Sequence, residues 1–210
     1  MTRPAAPLPP LPAGAERKRP RAAERIRESA RELFYRQGIR AVGVDEIVNR
    51  AGVTKPSLYR SFSSKDALAA AYLAQYDREF WQRFEGIVAT HPGDPRAQLL
   101  DYLSGLAKRA VKPDYRGCGL TNAAVEYPGA DHPARKVAED SKRRLRRRLK
   151  DMAKAMGARR PAALADGLLL LLEGAYVSSQ IFGPGGPAGR VAETARSLID
   201  ASLAGGRAKR

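Results

Sequence analysis

Within the seven residues from Lys55 to Ser61, five side chains donate hydrogen bonds: Lys55, Ser57, Tyr59, Arg60 and Ser61. Thr54 stands just before them and Lys65 about one helical turn beyond. Groups of these types do not make or break bonds by themselves. They suit recognition of a surface rich in acceptors and negative charge, which is what DNA base edges and phosphates present. A lysine can donate to guanine O6 and N7, a serine can pair with several bases, and the Pro56 ring can touch a thymine methyl.

Such a set reads a surface only if one rigid element holds it. Leu58 and Phe62, four residues apart, give a short helix its inward side, with Thr54 as cap and Pro56 in the first turn. Ahead of it, Val44, Ile47, Val48 and Ala51 share a helical face, and Gly52 supplies the turn between the two helices. This is helix-turn-helix grammar, an apolar base under a donor-rich face. A further helix, Ala22 to Gln37, carries Ile26, Ala30, Leu33 and Phe34 along one side and stops at Gly38. It packs under the other two, and Ile39 and Val42 plug the same core. Gly43 is a weaker cap for the middle helix than Ser or Thr.

The remaining chain reads as helices throughout, about nine in all, so the fold class is all-α. Ser63 and Ser64 cap a long helix from Lys65 to about Ala89, with Leu68, Tyr72, Tyr76, Phe80, Phe84, Ile87 and Val88 on its stripe. His91 to Pro95 ends it and opens the next helix, which runs to about Val111. Arg116 to Gly119 reads as a flexible entry to a short helix from Leu120 to Glu126. Asp131 and Pro133 open another, to about Met156. Its stripe is Val137, Ser141, Leu145, Leu149, Met152 and Met156, while the basic run from Lys142 to Lys150 reads as a solvated face. Pro161 starts a helix to about Phe182 that is apolar almost all round and is therefore buried on more than one side. A last helix runs from Ala188 to about Leu203.

The chain divides accordingly into a disordered basic, proline-rich arm over 1–20, a helix-turn-helix domain over 21–66, a second helical domain over 67–204 and a basic tail over 205–210. The arm holds six prolines and the cluster Arg17-Lys18-Arg19-Pro20-Arg21. It reads equally as a solvated tail or as an arm that lies on phosphates or enters a minor groove.

Lys and Arg outnumber Asp and Glu by 38 to 22, for a formal net charge of +16 at pH 7, which favours polyanionic partners. Cys118 is the single cysteine, so no intrachain disulfide forms, and with two histidines the chain lacks the ligands of a usual structural zinc site. The first twenty residues have no apolar run of the signal-peptide kind. The apolar window from Ala162 to Phe182 would place Asp166 and Glu173 in hydrocarbon at considerable cost, so a buried helix and a cytoplasmic protein are expected.

The stretch from Gly43 to Leu68, preceded by a helix ending Leu33-Phe34-Tyr35-Arg36-Gln37-Gly38, resembles the TetR-type (tetracycline-repressor-like, or AcrR) transcriptional regulators. The cap, the proline, Leu58-Tyr59, the aromatic Phe62 and Ser64-Lys65 all stand at that family's spacing. Beyond Leu68 the likeness is looser, in helix count and in the run from Gly117 to Pro128. The resemblance implies that the helix from Lys55 enters the major groove, with Lys55, Pro56 and Ser57 against base edges. Tyr59, Ser61 and Lys65 would meet phosphates. Arg60 departs from the pattern and has no assigned contact. Double-stranded DNA with a palindromic operator is the implied partner, bound by a homodimer made through the last two long helices. Gly167, Gly174, Ala175 and Ser178 would permit their close approach.

The resemblance also implies a small-molecule inducer in the second domain. Candidate ligand residues are Trp81, Phe84, Tyr102, Asn122, Glu126, Glu173 and Tyr176, each of which also fits an ordinary core or ion-pair role. Catalysis is not expected. His91 and His132 each precede a proline in a turn, no triad, phosphate loop or dinucleotide fingerprint is present, and no cofactor or metal is implied. The reading is a ligand-released repressor. Two others stand beside it: a sequence-insensitive architectural or RNA-binding protein, and a helical small-molecule-binding protein with no DNA function.

Overall fold

The computed structural model describes residues 21–204, so the arm expected over 1–20 and the tail over 205–210 lie outside the described residues. Among these residues the chain is all helical. In order the helices are α1 (Ala22–Gln37), α2 (Val44–Ala51), α3 (Lys55–Ser61), α4 (Lys65–Thr90) and α5 (Pro95–Ala110), then α6 (Gly119–Glu126), α7 (Pro133–Ala155), α8 (Pro161–Phe182) and α9 (Val191–Ala204).

Helices α1 to α3 form the head. Ile26, Ala30, Ile39, Val42, Ile47 and Leu58 are buried together, so the α1–α2 connection contributes to the core as well as the helices. Gly52 makes the α2–α3 turn in the left-handed conformation (φ 60°, ψ 44°), where a side chain would be strained. The Arg25 guanidinium on α1 donates to the Gly52 carbonyl oxygen at 3.3 Å and ties the turn to the first helix. Phe62 is buried but stands just past the end of α3, in extended backbone.

Ser64 Oγ accepts the Ala67 N–H at 3.0 Å and Asp94 the Ala97 N–H at 2.9 Å, so α4 and α5 are capped as their sequences imply. The bounds of α1 and α8 are those expected. Several details differ. Thr54 occupies the cap position of α3, but its hydroxyl meets Ser57 Oγ at 3.2 Å and makes no cap bond to a backbone N–H. Helix α7 is capped by His132, not Asp131: the ring Nδ1 accepts the Ala134 N–H at 3.2 Å. Pro187 opens a 3₁₀ turn, Pro187–Arg190, so the last α-helix begins at Val191 rather than Ala188.

Gly117 and Gly119 are there for close packing, not for flexibility. Gly117 has φ +71°, and a Cβ on it would sit 2.7 Å from the Tyr176 carbonyl oxygen; one on Gly119 would sit 2.8 Å from the Tyr72 hydroxyl. We expect Gly117→Ala to cost about 1–3 kcal/mol, because strained backbone and a backbone clash combine there. An unfolding midpoint equal to that of the unaltered protein would contradict this.

The basic run on α7 is not a plain solvated face. Arg146 grips Asp166 of α8 with two bonds of 2.5 and 2.9 Å, and Arg148 grips Glu85 of α4 with bonds of 3.2 and 3.1 Å. Arg144 lies over the Trp81 ring at 4.0 Å, and Lys142 turns inward to Glu173 at 2.6 Å. Lys142, Arg144, Arg146 and Arg148 fasten α7 to the helices beside it, while Arg143, Arg147 and Lys150 are exposed.

Helix α8 has the length and mean hydropathy (1.3) of a membrane span. It packs along α7 and α9 through Leu164, Ala165, Leu168, Leu172, Ala175, Tyr176 and Ser179. Gly167 serves contact within the chain, since a Cβ there would lie 2.9 Å from Leu198 of α9, whereas Gly174 has open space beside it.

Candidate nucleic-acid interface

On α3 the helical period decides which side chains face away from the head. Taking Leu58 as the inward direction, Lys55 and Ser61 lie about 60° to either side, Ser57 and Tyr59 about 100°, and Pro56 and Arg60 about 160°. The observed exposure agrees: Leu58 is buried, Ser57 half-buried, and Lys55, Pro56, Tyr59, Arg60 and Ser61 are exposed. Tyr59 is 50% exposed, so its ring and hydroxyl are available to a partner.

Most of these donors are already engaged. Lys55 Nζ pairs with Asp45 of α2 at 2.8 Å, and the carboxylate raises the lysine pKa above its ordinary value. Arg60 donates to Ser57 Oγ at 2.9 Å, and the Ser57 and Thr54 hydroxyls share a hydrogen bond at 3.2 Å. Ser61 Oγ donates to the Ser57 carbonyl oxygen at 3.3 Å. Lys65, half-buried at the start of α4, donates to the Arg40 carbonyl oxygen at 3.3 Å and holds the α1–α2 connection. Asp45 and Arg40 were not picked out from sequence. Nothing local in the sequence shows that Asp45 reaches Lys55.

The head joins the second domain through that connection. Glu126, the last residue of α6, accepts the Arg40 N–H at 2.8 Å, and the Arg40 guanidinium donates to the Glu126 carbonyl oxygen at 3.3 Å. Tyr35 on α1 accepts the Arg116 N–H at 3.0 Å and donates to the Gly117 carbonyl oxygen at 3.4 Å. Asn122 is tied to the Arg116 carbonyl oxygen at 2.9 Å. Of the candidate ligand residues, Asn122 and Glu126 therefore brace the segment around α6.

Trp81, Phe84 and Tyr102 form one buried aromatic cluster with Phe80, with Trp81–Phe84 and Phe84–Tyr102 centroids at 5.6 and 4.9 Å. Tyr176 joins it through its hydroxyl, 3.4 Å from that of Tyr102, and burial pushes both phenols up from their usual pKa. Glu173 accepts from Lys142 at 2.6 Å and from Thr121 of α6 at 2.6 Å. Lys142 also lies 3.5 Å from Cys118 Sγ. Burial opposes its charge, but Cys118 and Glu173 outweigh that and raise its pKa. Trp81 Nε1 and the Tyr72 hydroxyl are buried with no hydrogen-bond partner among the described residues.

A three-helix head whose last helix presents donors outward defines a helix-turn-helix protein. Residues 26–72 match the family model "Bacterial regulatory proteins, tetR family". A solved structure of a TetR regulator from Streptomyces avermitilis is 33% identical to this chain, covers 86% of it and 97% of itself, and superposes with a TM-score of 0.75. A TetR-family regulator from Streptomyces coelicolor is 28% identical, with 88% and 95% covered and a TM-score of 0.78. Among curated relatives, the transcriptional repressor ComR of Escherichia coli is 28% identical over 109 residues, which span 50% of this chain and 52% of ComR. The activator FasR of Mycolicibacterium smegmatis is 50% identical over 48 residues, 23% of this chain and 22% of its own. The chain thus spans about half or less of these two curated relatives. It belongs to the TetR family of bacterial transcriptional regulators.

Proposed function

We propose that the protein is a repressor that binds a palindromic operator as a homodimer in the cytoplasm and is released by a small molecule. The observation that carries this is the α3 face, where exposed donors and an exposed tyrosine stand on a helix whose opposite side, Leu58, is fully buried. A helix so mounted fits the major groove, with Lys55, Pro56 and Ser57 toward base edges and Tyr59, Ser61 and Lys65 toward phosphates.

The dimer uses α8 and α9. Leu170, Gly174, Val177 and Ile181 fall at intervals of four, three and four on α8. The three larger ones are exposed by 73, 47 and 68% within one chain. An apolar stripe of that regularity suits a second copy of the same helix.

Release would begin among Trp81, Phe84, Tyr102, Tyr176 and Glu173. A ligand that satisfied the free Trp81 N–H or drew Glu173 from Thr121 would disturb α6, and Glu126 would carry the shift to Arg40 and the head. The chain of contacts is continuous, which makes the coupling physically available.

The test is operator binding by Lys55→Ala and Tyr59→Ala. Each change removes an exposed group, so fold and dimer persist while affinity falls about tenfold or more, on the order of 1–3 kcal/mol per lost contact. Undiminished binding by both would refute the assignment.

A further inference from the structure

We propose that Arg60 is the main base-reading residue, recognising a guanine through O6 and N7 in each operator half-site. This rests on the operator reading and goes beyond it, because it names the base pair chemistry that α3 selects.

The major groove is about 12 Å wide and a helix with its side chains about 10–12 Å across, so the helix fills it. The side opposite the head then meets the middle of the groove floor, where bases are exposed, and the flanks meet the floor's margins and the phosphate walls. Arg60 and Pro56 are the residues on that far side, about 160° from Leu58. Pro56 offers no donor, so among the α3 side chains Arg60 is the donor aimed most directly at the middle of the floor, with Lys55 and Ser57 at its margins. Lys55, the other cation on α3, lies on a flank and is held by Asp45 at 2.8 Å.

The Arg60 side chain is also prepositioned. One of its five N–H groups goes to Ser57 Oγ at 2.9 Å, and Ser57 is in turn fixed against Thr54 at 3.2 Å. Four N–H groups remain, enough for the two parallel bonds that guanine accepts. In this arrangement Ser57 is a positioning residue that aims the guanidinium. No acidic side chain pairs with Arg60 among the described residues, so engaging a base breaks no ion pair.

The experiment measures binding to an operator recovered with the unaltered protein and to variants with each base pair changed in turn, over a series of salt concentrations. For the unaltered protein, replacing one symmetry-related G·C pair weakens binding about ten- to a hundredfold. Arg60→Ala abolishes that preference and keeps the others. Arg60→Lys, which cannot fork, restores it only in part, and Ser57→Ala blunts it at the same position. Uniform weakening across all sequences, with the salt slope reduced by about one per head, would make Arg60 a phosphate contact and overturn the proposal. An unchanged preference in Arg60→Ala would overturn it too, while leaving the operator reading intact. An unaltered protein that binds every sequence alike would overturn both.

Discussion

Replacing Leu170 and Ile181 together with aspartate is expected to leave a folded monomer that has lost its operator. Both side chains are largely exposed in the single chain, at 73 and 68%, so the change does not touch the core that holds α8 against α7 and α9. In a dimer each would leave water against the partner helix, worth about 1.5–3 kcal/mol per fully buried large aliphatic. Charge repulsion across a two-fold axis adds to the loss, because each substitution appears twice. One head alone binds one half-site, so losing the linkage should cost about 10²–10⁴-fold in affinity for a palindrome. Sedimentation at micromolar concentration and helical circular dichroism separate the outcomes. A dimer that survives the double substitution would place the interface elsewhere.

The second large effect concerns Lys142. Lys142→Met strands the Glu173 carboxylate between α6 and α8 with Thr121 as its remaining side-chain partner. Breaking a buried pair this way costs about 3–5 kcal/mol, and the lower end applies because the two side chains keep 23 and 27% exposure. For a chain of this size that lowers the unfolding midpoint by about 6–12 °C. The double variant Lys142→Met with Glu173→Leu should recover most of it, since two apolar groups leave no uncompensated charge.

The pH dependence has a definite sign. The folded-state pKa of Lys142 is raised, since Cys118 and Glu173 outweigh the opposing burial. Its contribution is therefore complete below the ordinary lysine pKa of about 10.4 and is lost as pH rises through the higher folded value. The gap between unaltered protein and Lys142→Met should be flat through neutral pH and close only in strong alkali. A gap that grew with pH would contradict the assignment.

Much of this architecture was written locally. The turn at Gly52, the caps Ser64 and Asp94 and the bounds of α8 arise from signals within one helical turn, and local signals survive folding unchanged. The start of α9 did not, because proline opens a 3₁₀ turn as readily as an α-helix, and the choice at Pro187 depends on how the neighbouring residues pack. The exposed side of α3 was legible from the helical period alone. What engages it was not. Asp45 meets Lys55 only because the α2–α3 turn folds one helix across the other.

Lys142 was hidden in a charged run, yet its register was informative. It stands four residues after Ala138 and three before Leu145, both buried, so it borders the inward stripe. Its partner Glu173 stood out as an acid in an apolar helix, but pairing the two needs the packing of α7 on α8. The glycines flanking Cys118 were misread for a similar reason. Gly117 and Gly119 answer to Tyr176 and Tyr72, residues remote in sequence.

The most direct test of the central claim is to incubate the protein with sheared genomic DNA at about physiological salt, where screening weakens purely electrostatic contacts, and to sequence what stays bound. A few sites sharing a short palindrome are the predicted result. Diffuse recovery with no shared motif, lost steeply as salt rises, would contradict it and leave a basic protein that holds DNA by charge alone.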